Sequence, residues 1–314
     1  MYKIGIDLGG TNIAIGIVDE KNTIVEKIST PTRLPDSAEN IAERIYLACE
    51  ELLSKAGLGF EDIAGIGLGS PGAIDSKEGI ILFSNNFRYK NIPLGKMLSE
   101  KFGKTVYCEN DANAAAYGEY LVNDGDKDAT LVAITIGTGI GGGVIIGGKL
   151  YSGNKFSGGE LGHMVINFNG LPCNCGRHGC YEVYASATAL IRQTKEAMQN
   201  DPHSKMWQLC DGNIENITGK TAFDGLRAGD KTAKAVVEQY ADYVSIGLVN
   251  IINSFGPETI CISGGISKEN ETILEPILRH IEMNKPINCQ TTVKIAKLDN
   301  DAGIIGAANL DLLK

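Results

Sequence analysis

Glu160 and His163 stand three positions apart in the run Gly159-Glu160-Leu161-Gly162-His163, and Cys173, Cys175 and Cys180 follow closely. A carboxylate, an imidazole and three clustered thiols are the parts of a metal knot that holds a polar small-molecule site in shape. One imidazole with three thiolates matches a closed tetrahedral zinc site, and closed sites are structural rather than catalytic. The Cys-x-Cys spacing of Cys173 and Cys175 is tighter than the usual Cys-x-x-Cys, so a disulfide or unconnected thiols stay open as alternatives. His178 competes with His163 as a ligand but reads as exposed. With His163 on a metal, its second ring nitrogen is available to donate to a substrate hydroxyl. Glu160 and Glu182 flank the knot and offer acceptors for vicinal hydroxyls, although either alone would read as solvated surface. Asn86, in Ser84-Asn85-Asn86-Phe87, adds both a donor and an acceptor, with Asn85 as its confounder.

Two glycine loops supply the other half of the chemistry. In Asp7-Leu8-Gly9-Gly10-Thr11-Asn12, glycines at a strand end let backbone N–H groups close around an anion, and Thr11 and Asn12 add side-chain donors. Asp7 is placed to reach a phosphate-bound Mg²⁺ through water. A plain hairpin turn would explain this loop taken alone. The second loop, Thr135-Ile136-Gly137-Thr138-Gly139-Ile140-Gly141-Gly142-Gly143, has five glycines in seven positions, more than a turn needs. Close approach of a polyphosphate does need them. The pair therefore points to nucleotide binding, with ATP as the expected donor. Asp111, in Glu109-Asn110-Asp111-Ala112-Asn113, comes at the start of an alanine-rich helix. Taken by itself it reads as an N-cap, and that is compatible with a second role as the base that takes the proton of an attacking hydroxyl in phosphoryl transfer.

The elements that must position these groups read as alternating strands and helices, an α/β pattern. Ile4, Ile6 and Leu8 alternate before Gly9-Gly10, and Ile13, Ile15 and Ile17 alternate after it. Val132, Ile134 and Ile136 before Gly137 and Val144-Ile145-Ile146 after it repeat the unit at an offset of 137 − 9 = 128. A duplicated architecture follows, each half contributing one glycine loop. Asp36-Ser37-Ala38-Glu39 has the look of a capping box for a helix with Ile41, Ile45, Ala48 and Leu52 on one face and Gly57 as its stop. Further strands are expected at residues 63–69, 106–108, 259–263 and 293–296, a long helix at 231–255, and a last helix from about Ala302.

At 314 residues with 43% hydrophobic and 21% charged content, the chain is long enough for two domains with ample core. The net charge is 29 − 38 = −9, with no run of Lys or Arg, which argues against a nucleic-acid groove. The 39 glycines are an excess that concentrates in Gly5–Gly16, Gly65–Gly72, Gly137–Gly148 and Gly264–Gly265, so it is expected to serve backbone chemistry at loops. No apolar run approaches about 20 residues, and no basic-then-apolar leader opens the chain, so no membrane association and a cytoplasmic location are expected. Cys49, Cys108, Cys210, Cys261 and Cys289 are scattered singly and read as small buried hydrophobes.

The DxGGT loop, Gly69-x-Pro71-Gly72, Glu109-Asn110-Asp111, Glu160-x-Gly162-His163 and Cys-x-Cys-Gly-x-x-Gly-Cys-x-Glu at 173–182 together resemble the ROK family of sugar kinases and sugar-responsive repressors, across essentially the whole chain. That resemblance implies an actin-like ATPase fold, of the duplicated ribonuclease-H-like kind, with two α/β domains around a cleft. The expected division is a small domain of residues 1–120 plus 301–314 and a large one of 121–300 carrying the zinc loop. It implies Asp111 as catalytic base and Asn86, Asn110, Asp111, Glu160, His163 and Glu182 as sugar ligands. His163, Cys173, Cys175 and Cys180 would hold a structural Zn²⁺. Gly10, Thr11, Gly137, Thr138 and Gly265 would line the ATP site, with Gly9, Asn12 and Gly139 beside them. Relatives often carry Trp three residues after the substrate asparagine, where this chain has Tyr89. Repressor members carry a helix-turn-helix ahead of the sugar domain, whereas this chain reads as strand from Tyr2, so nucleic acid is not an expected partner. The implied activity is Mg²⁺- and ATP-dependent phosphorylation of a hexose at its 6-hydroxyl, glucose first. N-acetylmannosamine, N-acetylglucosamine and fructose are alternatives. A homodimer is expected.

Overall fold

A computed structural model describes residues 1–123, 128–286 and 288–313. Its strands are β1 (Tyr2–Leu8), β2 (Asn12–Val18), β3 (Ile24–Pro31), β4 (Ile63–Ser70), β5 (Ala73–Asp75), β6 (Ile80–Ser84), β7 (Tyr89–Ile92), β8 (Val106–Asn110), β9 (Leu131–Ile136), β10 (Ile140–Ile146), β11 (Lys149–Leu150), β12 (Thr259–Ser263) and β13 (Thr292–Ile295). Its α-helices are α1 (Ala38–Ala56), α2 (Leu94–Phe102), α3 (Asp111–Val122), α4 (Glu182–Ala185), α5 (Ala187–Asn200), α6 (Met206–Leu209), α7 (Thr221–Arg227), α8 (Lys231–Phe255), α9 (Glu271–Asn284) and α10 (Ala302–Ala308).

Two five-stranded sheets have matching strand order, β3-β2-β1-β4-β8 and β11-β10-β9-β12-β13, and β5-β6-β7 forms a small third sheet. The internal repeat is thus a repeat of topology. It is also one of register, because β2 and β10 begin at 12 and 140 and end at 18 and 146, each pair 128 apart. The described residues divide into two compact units. One comprises Met1–Ala133, Gly143–Gly159 and Lys297–Lys314; the other comprises Ile134–Gly142 and Glu160–Ala296. Among the described residues, no helix is long and apolar enough to cross a membrane.

In the first unit, α1 buries Ile41, Ile45, Ala48 and Leu52 on the face expected of it. Each of the three larger side chains contributes about 2 kcal/mol by leaving water. Gly57 ends the helix at φ 69°. The cap differs from the expected box. Ser37 is the N-cap and accepts from Asn40 N at 3.2 Å, while Asp36 accepts from Asn40 Nδ2 and pairs with Arg44, both at 2.7 Å. Asn40 therefore fills the place the box would give to a glutamate, and Glu39 is uninvolved.

The glycine excess also has a use beyond loops. Gly5 and Gly67 lie inside β1 and β4, and a Cβ at either would fall 1.8 or 1.9 Å from a carbonyl oxygen of α10. Gly306 of α10 likewise meets the Ala114 carbonyl of α3, at 1.7 Å from its would-be Cβ. Backbone packed directly on backbone, with no side chain between, seats α10 against β1, β4 and α3. Its start, at Gly303, thereby comes against Asp7.

Candidate functional site

In the first unit, three adjacent parallel strands deliver their last residues to one edge. Asp7 of β1 lies opposite Gly69 of β4, and Gly69 and Ser70 lie opposite Glu109 and Asn110 of β8. The carboxyl edge of a parallel sheet is where α/β folds bind ligands, because side chains and helix N-termini converge there. Asp111 is the first residue of α3 and its Oδ1 accepts from Ala112 N at 2.9 Å. The N-cap is Asn110, not Asp111. Asn110 Oδ1 accepts from Asn113 N at 3.1 Å, and its Nδ2 donates to Gly72 O at 3.0 Å. Each of its amide groups keeps one further bond for a ligand. Glu109 points the other way and lines a separate cavity of about 700 Å³ with Tyr117 and Leu310, which contains none of the expected site residues.

The Asp7 loop closes through Gly9 N to Asn12 O at 2.9 Å. Buried Thr32 clamps it from the end of β3, donating its Oγ1 to Gly9 O at 2.7 Å and its N–H to Thr11 O at 2.8 Å. Thr11 and Asn12 are exposed. Asn86 is exposed too and lies beside the loop, its Nδ2 being 3.6 Å from a Cβ built at Gly10. Tyr89 is buried, tilts against Phe87 at 5.3 Å and donates its hydroxyl to Asp36 O at 3.1 Å. Thr32 and Gly303 have no sequence signal of their own: neither lies in a recognisable motif, and each matters through a contact distant along the chain.

Burial first, and then the charge of Asp111, push the Asp7 carboxyl up to about 6. A second carboxylate beside that of Asp7 suits a divalent cation, and Asp7 with the glycine loop fits a hydrated Mg²⁺ on a phosphate. Without metal the pair costs stability. The folded chain keeps the Asp7 proton between pH 4 and 6, where the unfolded chain has released it, so stability is lost as pH rises through that window. Asp7→Asn should therefore raise thermal stability at pH 7.5 in EDTA, by on the order of 2 kcal/mol, while activity falls. Melting curves at pH 4 and pH 7.5 check this; an advantage of the variant that does not grow with pH contradicts it.

In the second unit, His163, Cys173, Cys175 and Cys180 bring their ligand atoms within 4.8 Å of one another. Cys173 Sγ lies 3.7 Å from His163 Nδ1, and Cys175 Sγ lies 3.6 Å from Cys180 Sγ. Tetrahedral zinc with bonds of about 2.3 Å to sulfur places its ligand atoms about 3.8 Å apart, so the donor set fits that ion. His178 is exposed and outside the cluster. Cys175 is held down to about 6 by hydrogen bonds from Arg177, while burial pushes Cys173 up to about 12.

Glu182 joins this knot to the second glycine loop. Its Oε1 is 3.3 Å from Cys173 Sγ and 3.7 Å from His163 Nδ1, and its Oε2 accepts from Ile140 N at 3.5 Å. A Cβ at Gly139 would lie 2.7 Å from Glu182 Oε2, so glycine there makes room for the carboxylate. Glu160 is exposed and precedes the single turn Leu161–His163, its carbonyl accepting from His163 N at 3.1 Å. Gly137 O accepts from Ala187 N at 2.9 Å, and Thr138 O from Thr188 Oγ1 at 2.8 Å, which ties the loop to the start of α5. Gly264, at φ 93°, passes so close to β9 that a Cβ would lie 2.4 Å from Ile136 O, and this brings Gly265 to the root of the same loop.

A family model described as "ROK family" matches residues 3–312. The chain is 38% identical over 310 residues to the glucokinase of Thermotoga maritima, covering 98% of this chain and 96% of that one. It is similar to the crystal structure of a ROK family glucokinase from Streptomyces griseus in complex with glucose and AMPPNP, with a TM-score of 0.82, 35% identity and 99% of each chain covered. Against the ROK hexokinase of Thermus thermophilus the TM-score is 0.79 at 32% identity, covering 99% of this chain and 97% of that one.

Proposed function

This chain belongs to the ROK family, and on that premise we propose that it transfers the γ-phosphoryl group of ATP to the 6-hydroxyl of glucose. The observation that carries the reading furthest is the gathering of Asp7, Asn110 and Asp111 at one edge of three parallel strands, beside the Gly9–Asn12 loop. Asp111 takes the proton of the 6-hydroxyl as its oxygen attacks phosphorus, and the bond from phosphorus to the β-γ bridging oxygen breaks to release ADP. The Gly9–Asn12 and Gly137–Gly139 loops, with Gly265, receive the phosphate oxygens through N–H groups other than those of Gly9 and Gly137, which close the loops themselves, and so spread their charge. Asp7 would hold Mg²⁺, which would supply charge neutralisation at the phosphates. Asn86, Asn110, Glu160, His163 and Glu182 bind sugar hydroxyls. His163, Cys173, Cys175 and Cys180 would hold a structural Zn²⁺ that orders the segment carrying His163 beside Glu182.

Glucose leads because two of the relatives above are named glucokinases. Fructose, N-acetylglucosamine and N-acetylmannosamine are the alternatives, since each offers hydroxyls on carbons 3, 4 and 6. ADP release with ATP and each of these sugars in turn tests the choice. Glucose should give the highest kcat/KM; sugar binding without ADP would point to a sensor and contradict the kinase. The chain should act in the cytoplasm, where ATP is available and thiols stay reduced, and as a homodimer, which light scattering checks.

A further inference from the structure

Glu182 sits on α4, a single turn of helix that by itself has no strength to hold a side chain in place. The residue before it, Tyr181, is wholly buried and donates its hydroxyl to Val244 O of α8 at 2.8 Å. Its ring lies flat on the next turn of that helix: a Cβ at Gly247 would fall 2.2 Å from Cζ of the ring. Wholly buried Tyr240, one turn earlier on α8, donates its hydroxyl the other way, to Ala185 O at 2.8 Å. The two tyrosine bonds therefore bracket Glu182, one arising just before it and one ending just after it.

The remaining carbonyls of the turn are also engaged. Arg192 donates to Val183 O at 2.9 Å, Gln193 to Tyr184 O at 2.8 Å, and Ser186 N to Glu182 O at 3.1 Å. A helix end normally leaves its last four carbonyls without partners inside the helix. Here all four have partners from α5, α8 or the next residue. Such complete engagement fixes the backbone of α4 to the body of the second unit without help from the thiol cluster.

We propose that Tyr181 and Gly247 form a positioning seat for Glu182, aligning its carboxylate for the sugar, so that sugar affinity is set partly by a helix that does not touch the sugar. The proposal rests on Glu182 being a sugar ligand of the kinase described above. Tyr181 and Gly247 are positioning residues, not catalytic ones. A methyl group at 247 must lift the ring and shift Glu182 with it, whereas loss of the phenol hydroxyl only loosens the seat.

The test compares Tyr181→Phe, Gly247→Ala and Gly247→Ala combined with Tyr181→Leu in the full chain, reading glucose KM, ATP KM, kcat, zinc content and melting temperature. Glucose KM should rise about threefold in Tyr181→Phe and tenfold or more in Gly247→Ala, with ATP KM, kcat and zinc content within twofold of wild type. The smaller leucine should restore part of the affinity lost to Gly247→Ala. Lower melting temperatures with unchanged glucose KM would overturn the seat and make the contact merely structural. If Gly247→Ala fails to fold, Tyr181→Phe decides by the same criterion. A wild-type chain that turns over no hexose would overturn the kinase reading itself, and the seat with it.

Discussion

Replacing Asp111 with asparagine should lower kcat roughly 10³-fold while glucose binding changes little. Removal of a positioned general base costs typically 10²- to 10⁴-fold. The local structure makes the experiment clean, because the cap of α3 is Asn110, whose Oδ1 accepts from Asn113 N. Asparagine at 111 can still accept from Ala112 N, as the aspartate does. The helix loses the attraction between a carboxylate and its N-terminus, about 0.5 kcal/mol, while the repulsion of Asp7 is relieved. Stopped-time assays of ADP formation, alongside calorimetric titration with glucose, separate the two effects. A variant with near-normal kcat would remove Asp111 from the role of base. A variant that has lost glucose binding would make it a ligand first.

The duplicated architecture was legible because each half repeats the same signal: alternating isoleucines, a glycine break, and alternating isoleucines again. Strand alternation is local, so Ile4–Leu8 and Val132–Ile136 announce themselves wherever they sit in space. The thiol knot was legible for a related reason, since Cys173, Cys175 and Cys180 come close along the chain and need only His163 added. What could not be read depends on contacts between distant segments. Nothing local says that Gly5 and Gly67 exist to admit the backbone of α10, or that Thr32 holds the Gly9 loop. The capping of α3 was misplaced by one residue because Asn110 and Asp111 are both good caps, and only the reach of Asn110 to Asn113 and Gly72 separates them.

Cys175→Ser should strip the chain of zinc and raise glucose KM tenfold or more, with a smaller effect on kcat at saturating sugar. Removing groups that support a ligand set typically costs 10- to 100-fold in affinity or activity. Cys175 is the informative choice because it is exposed, whereas Cys173 and Cys180 are buried and their loss would also open the core. Metal binding must displace the thiol proton of Cys173, which is held up to about 12 without metal. Zinc retention against a chelator should consequently weaken as pH falls from 8 to 6. Elemental analysis of the purified chain, paired with the glucose titration, checks both statements. Wild-type protein without zinc, or a serine variant with unchanged glucose KM, would contradict them.

The most direct measurement follows the reaction itself by phosphorus NMR, with wild-type chain, Mg²⁺, ATP and glucose in one tube. The expected result is a phosphomonoester resonance coupled to the two protons on carbon 6 of glucose, growing in step with ADP and absent when Asp111 is asparagine. ADP accumulating with inorganic phosphate and no sugar ester, or no loss of ATP at any glucose concentration, would contradict a kinase that acts on glucose through Asp111.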